Sequence, residues 1–217
     1  MRHTAVTTDI GEVWFSAGPL GEGPAILLLH GAVRSTDDLA AVAAGLPNVV
    51  LGHLPGHGVN DLRGVSVDLW SRAFATAAAA FFADRPWLHA GESLGGLVGL
   101  GMARFDVPGL LGVVAVEPPL TYSWPLQASS LPSHLDALLR PSHRRWLAEA
   151  QRPVCVVAGD VPLEPPRTLP RTPSLLSAED RAAASDLVEL RGGHELMTEA
   201  PADCVKVILE RLRRWSC

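Results

Sequence analysis

The sequence predicts an α/β fold with a mostly parallel central sheet and helices on both of its faces. Short apolar runs of strand length alternate with longer helical stretches along the 217 residues. This alternation is typical of parallel sheets joined by crossover helices. The run at 25–29, Ala-Ile-Leu-Leu-Leu, is apolar at every position, as expected of a strand that is buried on both faces.

Seven runs are predicted as strands because they are apolar or β-branched and end at glycine, proline or polar residues. They span residues 12–15, 25–29, 48–52, 87–90, 110–116, 154–158 and 186–190, and the first is expected at an edge of the sheet. Five stretches have helical character: 37–46, 67–83, 94–105, 177–185 and 202–214. Ser35 or Thr36, Ser66 and Ser177 stand where N-capping side chains are expected.

Residues 118–151 interrupt this alternation. They contain Pro118, Pro119, Pro125, Pro132 and Pro141, and they are helical only in fragments near 134–139 and 143–150. We therefore predict a small helical lid at 118–151, inserted into a core formed by residues 1–117 and 152–217. A lid this short predicts an open or shallow pocket and a small substrate.

The composition narrows the class of protein. The net charge is −5, which argues against nucleic-acid binding because a binder would need a basic face. No apolar run reaches the roughly 18 residues of a membrane span, and the first ten residues lack the apolar core of a signal peptide. The three cysteines, Cys155, Cys204 and Cys217, form no close pair, so we expect no disulfide framework and a cytoplasmic location.

The segment Gly91-Glu92-Ser93-Leu94-Gly95 has the pattern G-x-S-x-G between a predicted strand and a predicted helix. That context is typical of a nucleophile elbow, in which a strained turn exposes a serine hydroxyl. The glycines would allow the strand and the helix to approach closely, because they carry no side chain. Ser93 is therefore the candidate nucleophile.

Other polar residues also follow predicted strands, and His194 lies in the loop after the last of them. Because the carboxyl ends of parallel strands line one crevice, we expect the serine, an acid and the histidine to meet there. In such a triad the histidine accepts the proton of the serine, and the carboxylate fixes the imidazole tautomer. We expect Ser93 and His194 to lie within hydrogen-bonding reach. No histidine or cysteine spacing predicts a metal site, and no cofactor is expected.

The chain resembles the α/β-hydrolase superfamily, in its branch with a serine nucleophile, over about residues 12–215. Four segments carry the resemblance: Leu28-Leu29-His30-Gly31, Leu54-Pro55-Gly56-His57-Gly58, Gly91-Glu92-Ser93-Leu94-Gly95-Gly96 and Gly192-Gly193-His194. By this resemblance, the backbone N–H groups of Ala32 and Leu94 would form an oxyanion hole. Two such donors typically contribute about 3–4 kcal/mol each to lowering the barrier.

The resemblance leaves the acid open. The family usually places it about three residues after the glycine that ends the seventh strand, and here that residue is Pro162. Asp160 is the nearest carboxylate and is our preferred prediction. Glu117, where some relatives carry their acid, and Glu164 are the alternatives.

Together these residues predict a serine hydrolase that cleaves a small carboxylic ester or thioester through an acyl-enzyme. The predicted partner is a small acyl substrate, with no nucleic acid and no membrane. A serine nucleophile argues against the dehalogenase and epoxide-hydrolase branches, which use aspartate. Two alternatives are a carbon–carbon bond hydrolase on the same triad and a catalytically silent relative that binds a ligand or partner.

Overall fold

An eight-stranded sheet runs through the molecule. The computed structural model describes residues 1–55, 66–122, 133–162 and 172–216. The strands in chain order are β1 (Arg2–Thr8), β2 (Gly11–Ala17), β3 (Ala25–Leu29), β4 (Val49–Gly52), β5 (Trp87–Glu92), β6 (Leu110–Val116), β7 (Val154–Gly159) and β8 (Leu187–Leu190). Across the sheet they follow the order β1-β2-β4-β3-β5-β6-β7-β8.

The six strands from β3 to β8 are parallel to one another, whereas β1 pairs antiparallel with β2 and β2 pairs antiparallel with β4. The predicted mostly parallel sheet is therefore confirmed. From β3 the chain continues to β4 on one side and then to β5 on the other. In open α/β sheets, ligands bind outside the carboxyl ends of the strands at such a reversal, which here lies between β3 and β5.

The amino-terminal hairpin differs from the prediction. The expected edge strand at 12–15 is the longer strand β2, which lies between β1 and β4. The actual edge strand, β1, was not predicted, because its exposed and half-buried side chains give it a polar sequence without the apolar signature of a buried strand.

Helices cover both faces of the sheet, as predicted. They are α1 (Ala40–Ala44), α2 (Val67–Phe82), α3 (Leu94–Met102), α4 (Ser133–Leu139), α5 (Trp146–Glu149), α6 (Ala178–Ala183), α7 (Leu196–Glu199) and α8 (Pro201–Trp215), with a 3-10 turn at Thr36–Leu39 before α1. Leu27 and Leu29 pack with α2 and α3, whereas Ile26 and Leu28 pack with α1 and α8. Successive side chains of a strand point to opposite faces, so the side chains of β3 contribute to the apolar clusters on both faces of the sheet.

The predicted caps lie at helix starts. Ser35 and Ser177 each form a capping box, with Asp38 and Asp180 respectively, and the Ser66 side chain accepts from the Leu69 N–H at the start of α2. Each cap satisfies an N–H group that has no partner within the helix.

The described parts of the 118–151 stretch contain α4 and α5, and residues 123–132 lie outside the description. Leu135, Leu138, Leu139 and Trp146 are buried in the same apolar cluster as α2 and α3. Arg144 donates to the buried Asp180 of α6 at 2.7 Å, which links this stretch to the core. The boundaries of the lid stay a prediction. Within the described residues, no helix combines the length and apolarity needed to cross a membrane.

Candidate active site

Ser93 occupies a tight turn between β5 and α3. Its backbone has φ 53° and ψ −120°, a left-handed conformation that is costly for any residue with a side chain. The Ser93 N–H donates to Val116 O of the neighbouring strand at 2.8 Å, so the turn is held against the end of β6. Ser93 as a whole is 7% exposed, at the carboxyl edge of the sheet.

The glycines around Ser93 are required by close backbone contacts. A Cβ atom on Gly95 would lie 2.5 Å from Leu29 O, and a Cβ atom on Gly91 would lie 2.5 Å from the carbonyl carbon of Gly95. Because real Cβ atoms do not approach so closely, the turn can close on itself only with hydrogen at Gly91, and it can pack against β3 only with hydrogen at Gly95. The G-x-S-x-G spacing thus has a steric reason in this fold.

The loop after β3 lies directly against the serine. A Cβ atom on Gly31 would be 3.2 Å from Ser93 Cβ. The next residue is Ala32, whose N–H donates no backbone hydrogen bond among the described residues, and the same holds for the Leu94 N–H at the first position of α3. Within the described residues, neither N–H group is used in a backbone hydrogen bond; one belongs to the residue after Ser93, and the other to the loop that packs on Ser93.

Side chains hold this loop in place. His30 is fully buried; its Nδ1 lies 2.8 Å from Gly31 O, and its Nε2 lies 3.3 Å from the Leu54 N–H. Arg34 forms ion pairs with Asp38 and with Glu195, which is next to His194. The loop after β3 and the loop after β8 are thus tied together beside Ser93.

His194 follows β8, and its side chain is 16% exposed. Its backbone N–H donates to Thr172 O at 3.0 Å. Its ring Nδ1 lies 3.6 Å from Glu117 Oε2. Glu117 directly follows Val116, whose carbonyl oxygen accepts the hydrogen bond from the Ser93 N–H. The serine and the histidine therefore lie at one edge of the sheet.

The expected hydrogen bond between Ser93 and His194 is not formed: among the described residues, no hydrogen bond joins the Ser93 hydroxyl to the His194 ring. Catalytic hydrogen bonds are often long without substrate and shorten when it binds. Both residues lie near the end of β6, and no hydrogen bond between them is formed among the described residues.

Glu117 is fully buried beside His194. Its Oε1 accepts hydrogen bonds from the Gly159 N–H and the Ser174 hydroxyl, and its Oε2 accepts one from the Leu175 N–H, each at 2.7 Å. A carboxylate has about four acceptor positions, so one position on Oε2 is left for His194. Glu117 also has a left-handed backbone, with φ 47°, as residues at functional sites often have.

Asp160, the acid that the sequence favours, is not in contact with the His194 ring among the described residues. It is exposed, and its Oδ1 accepts from the Gly192 N–H at 2.9 Å. Among the described residues, Glu117 is the carboxylate within 4.0 Å of a His194 ring nitrogen. Gly159 packs closely against the backbone of residues 192 and 193, and the Asp160 side chain accepts from the Gly192 N–H there. Glu164 lies outside the described residues.

Glu92, next to the nucleophile, is a buried residue that the sequence did not distinguish from a surface side chain. It is 6% exposed, and its Oε1 accepts from the Met197 N–H of α7 at 2.7 Å. Burial raises the pKa of the Glu92 carboxyl to about 7, against the lowering effects of the Met197 N–H and of His194. Glu92 thus connects the elbow to the helix that follows His194.

His89, on β5 just before the elbow, also supports the turn. It is fully buried, and its Nε2 lies 3.0 Å from Gly95 O. Burial lowers the pKa of His89 to about 4, so the ring is neutral and acts as a hydrogen-bond donor to α3. In the described part of the chain, no group of three or more His, Cys, Asp or Glu residues could hold a metal ion.

No family model and no curated protein matches the sequence, but the fold is shared with solved structures. An enol-lactonase from Burkholderia xenovorans LB400 superposes with a TM-score of 0.74 at 14% identity, over 97% of this chain and 100% of that one. A thermophilic esterase from Thermogutta terrifontis superposes at 0.73 with 17% identity, over 99% of each chain.

A thioesterase domain from the curacin biosynthetic pathway superposes at 0.67 with 20% identity, over 96% of this chain and 99% of that domain. These identities are low, so the likeness concerns the fold. The sheet order, the strained serine after β5 and the full-length superpositions agree on one architecture. The chain has the α/β-hydrolase fold.

Proposed function

We propose that this protein is a serine hydrolase that cleaves a small carboxylic ester or thioester through an acyl-enzyme. The observation that carries the proposal is the position of Ser93. It lies in a strained turn against Gly31, and the N–H groups of the next residues, Ala32 and Leu94, donate no backbone hydrogen bond among the described residues. Strained backbone of this kind persists only where the surrounding structure fixes it, and it is frequent at active sites.

In the proposed reaction, His194 takes the proton of the Ser93 hydroxyl as the serine oxygen bonds to the acyl carbon. The negative charge that forms on the carbonyl oxygen is stabilised by the N–H groups of Ala32 and Leu94. The imidazolium then gives its proton to the departing alkoxide or thiolate. A water molecule, deprotonated by His194, hydrolyses the acyl-enzyme and restores the serine.

Glu117 replaces Asp160 as the proposed acid. Its Oε2 lies 3.6 Å from His194 Nδ1. A carboxylate there favours the tautomer with the proton on Nδ1, which leaves Nε2 free to accept the serine proton. It also stabilises the imidazolium that forms during each half-reaction.

Labelling with a fluorophosphonate tests whether Ser93 is activated. We expect the wild-type protein to be labelled and the Ser93→Ala and His194→Ala variants to remain unlabelled. Ser142 offers a matched control, because its hydroxyl donates a hydrogen bond to the backbone oxygen of residue 120. The Ser142→Ala variant should therefore be labelled like the wild type. Labelling that persists in Ser93→Ala would exclude Ser93 as the nucleophile.

A panel of p-nitrophenyl esters and acyl thioesters of increasing acyl length then identifies the substrate class. We expect Ser93-dependent turnover that is highest for short acyl chains. Labelling without turnover of any ester or thioester would favour the carbon–carbon hydrolase. Absence of both labelling and turnover would favour a silent binding protein.

A further inference from the structure

One short segment contacts both the proposed acid and the proposed base. In residues 172–176, Thr172 O accepts the backbone N–H of His194 at 3.0 Å. The Ser174 hydroxyl and the Leu175 N–H each donate to the Glu117 carboxylate at 2.7 Å. The same five residues therefore set the position of the His194 loop and the orientation of the carboxylate that faces it.

The direction of the Ser174 hydroxyl is determined by its surroundings. Ser174 is fully buried. Its oxygen accepts from the Leu176 N–H at 3.2 Å and from Arg181 Nη2 at 2.9 Å. A hydroxyl has two lone pairs and one proton. Since both lone pairs are occupied by donors, the proton must point to its remaining neighbour, Glu117 Oε1.

Arg181, in α6, donates hydrogen bonds to two of the residues that donate to Glu117. The same Nη2 that donates to Ser174 also donates to Gly159 O at 2.7 Å, and the N–H of Gly159 donates to Glu117. The guanidinium group is planar and always charged, so it links Ser174 and Gly159 rigidly. Its positive charge lies one hydroxyl away from the Glu117 carboxylate.

We propose that Arg181, acting through Ser174, is a positioning residue that orients Glu117 so that the free lone pair of Oε2 faces His194 Nδ1. The proposal rests on the function proposed above. Arg181 touches neither Ser93 nor His194 in the described structure, and its effect on the imidazole passes through the serine and the carboxylate.

Loss of Arg181 leaves one lone pair of the Ser174 hydroxyl without a donor, so the hydroxyl can turn away from Glu117. The carboxylate then loses one of three donors and its fixed orientation, and the Nδ1–H tautomer of His194 is less favoured. Because catalysis is sensitive to small errors in orientation, we expect Arg181→Met to lower kcat about 10- to 100-fold. KM should stay within about twofold, since Arg181 does not contribute to uniform substrate binding.

The experiment compares Arg181→Met with Glu189→Gln. Glu189 forms an ion pair with Arg181, but its side chain is 58% exposed, so it contributes little. Each variant is tested for kcat and KM on the best ester or thioester of the panel. Isotope-labelled ring nitrogens of His194 are also followed by NMR, since their chemical shifts show which nitrogen carries the proton. Arg181→Lys, which keeps the charge with fewer donors, should fall between Arg181→Met and the wild type.

We expect a shift toward the Nε2–H tautomer in Arg181→Met and a spectrum like the wild type in Glu189→Gln. If folded Arg181→Met keeps the kcat and the tautomer of the wild type, the positioning role is wrong while the hydrolase function stands. If the wild type shows no Ser93-dependent activity, the hydrolase function fails, and the NMR comparison still decides whether Arg181 orients the pair. If Arg181→Met does not fold, the kcat and the His194 ring-nitrogen spectrum of Arg181→Lys decide whether Arg181 is a positioning residue.

Discussion

Glu117 Oε2 lies 3.6 Å from His194 Nδ1, although 76 residues that include two strands separate them in the chain. The pairing depends on the order of the strands. β6, β7 and β8 are adjacent and parallel, so the residue after β6 and the loop after β8 emerge at the same edge. The carboxylate is buried and held by three donors, whereas the imidazole remains partly exposed.

The first prediction concerns the two candidate acids. We expect Glu117→Gln to lower kcat by about 10²- to 10⁴-fold, because the imidazole loses the charge that selects its tautomer. Asp160→Asn should change kcat by less than about tenfold, since it affects one partly buried hydrogen bond from the Gly192 N–H, which the amide oxygen of asparagine can still accept. Steady-state kinetics on one ester, with circular dichroism to verify folding, measures both. If Asp160→Asn lowers kcat more than Glu117→Gln does, Asp160 and not Glu117 is the acid that pairs with His194.

The second prediction concerns strain at the nucleophile. Ser93 has φ 53° and ψ −120°, a conformation that glycine adopts more readily than alanine or serine. Ser93→Gly and Ser93→Ala both remove the hydroxyl, so each is the other's control. We expect Ser93→Gly to be more stable than Ser93→Ala by about 1–2 kcal/mol. Urea unfolding of the two variants measures this difference, and equal free energies of unfolding would mean that the turn is unstrained.

The third prediction concerns pH and Glu92. Its pKa is raised by burial from 4.5 to about 7, so the folded protein favours the protonated carboxyl. Relative to a Glu92 that stays protonated, the folded state loses no stability below pH 4.5. It becomes progressively less stable relative to the unfolded state as the pH rises through about 7. The difference corresponds to about 3 kcal/mol. Glutamine resembles the protonated carboxyl at every pH and can still accept from the Met197 N–H.

We therefore expect the free energy of unfolding of the wild type to fall relative to Glu92→Gln between pH 4.5 and pH 8, by up to about 3 kcal/mol. Urea unfolding at a series of pH values measures this. Glu22→Gln is the control, because Glu22 is exposed and its replacement should leave the pH dependence unchanged. Parallel curves for the wild type and Glu92→Gln would show that the Glu92 pKa is not raised.

The fourth prediction concerns the glycine after the elbow. A Cβ atom on Gly95 would lie 2.5 Å from Leu29 O and 2.6 Å from His30 O. Both are backbone atoms of the strand and loop that pack against Ser93, so they cannot move aside without shifting β3. We expect Gly95→Ala to destabilise the protein by about 3 kcal/mol or more. It should also lower activity, because the Ala32 donor moves with the loop.

Gly18→Ala is the matched substitution, because a Cβ atom there meets nothing within 4 Å. It should leave the melting temperature and the activity unchanged. Thermal melting of the two variants beside the wild type tests the comparison. A Gly95→Ala protein as stable as Gly18→Ala would disprove the steric account of the elbow.

The sequence by itself determined the architecture, the candidate nucleophile and the candidate base. The continuous apolar run of β3 indicated a strand buried on both faces, and the glycines around Ser93 indicated a close backbone approach. Both were predictable because they leave a pattern in a few consecutive residues, although the contacts behind them, such as that of Gly95 with Leu29 O, are distant in the chain. The capping serines at positions 35, 66 and 177 were predictable for the same reason.

Only the tertiary structure decided which carboxylate faces His194. Asp160 and Glu117 both directly follow a strand, so the pattern alone could not separate them. The choice depends on side-chain direction and on donors from distant segments: Glu117 meets Gly159, Ser174 and Leu175, and Asp160 meets Gly192. Ser174 and Arg181 belong to no motif, and their partnership with Glu117 exists only because folding brings three separate segments to one buried carboxylate.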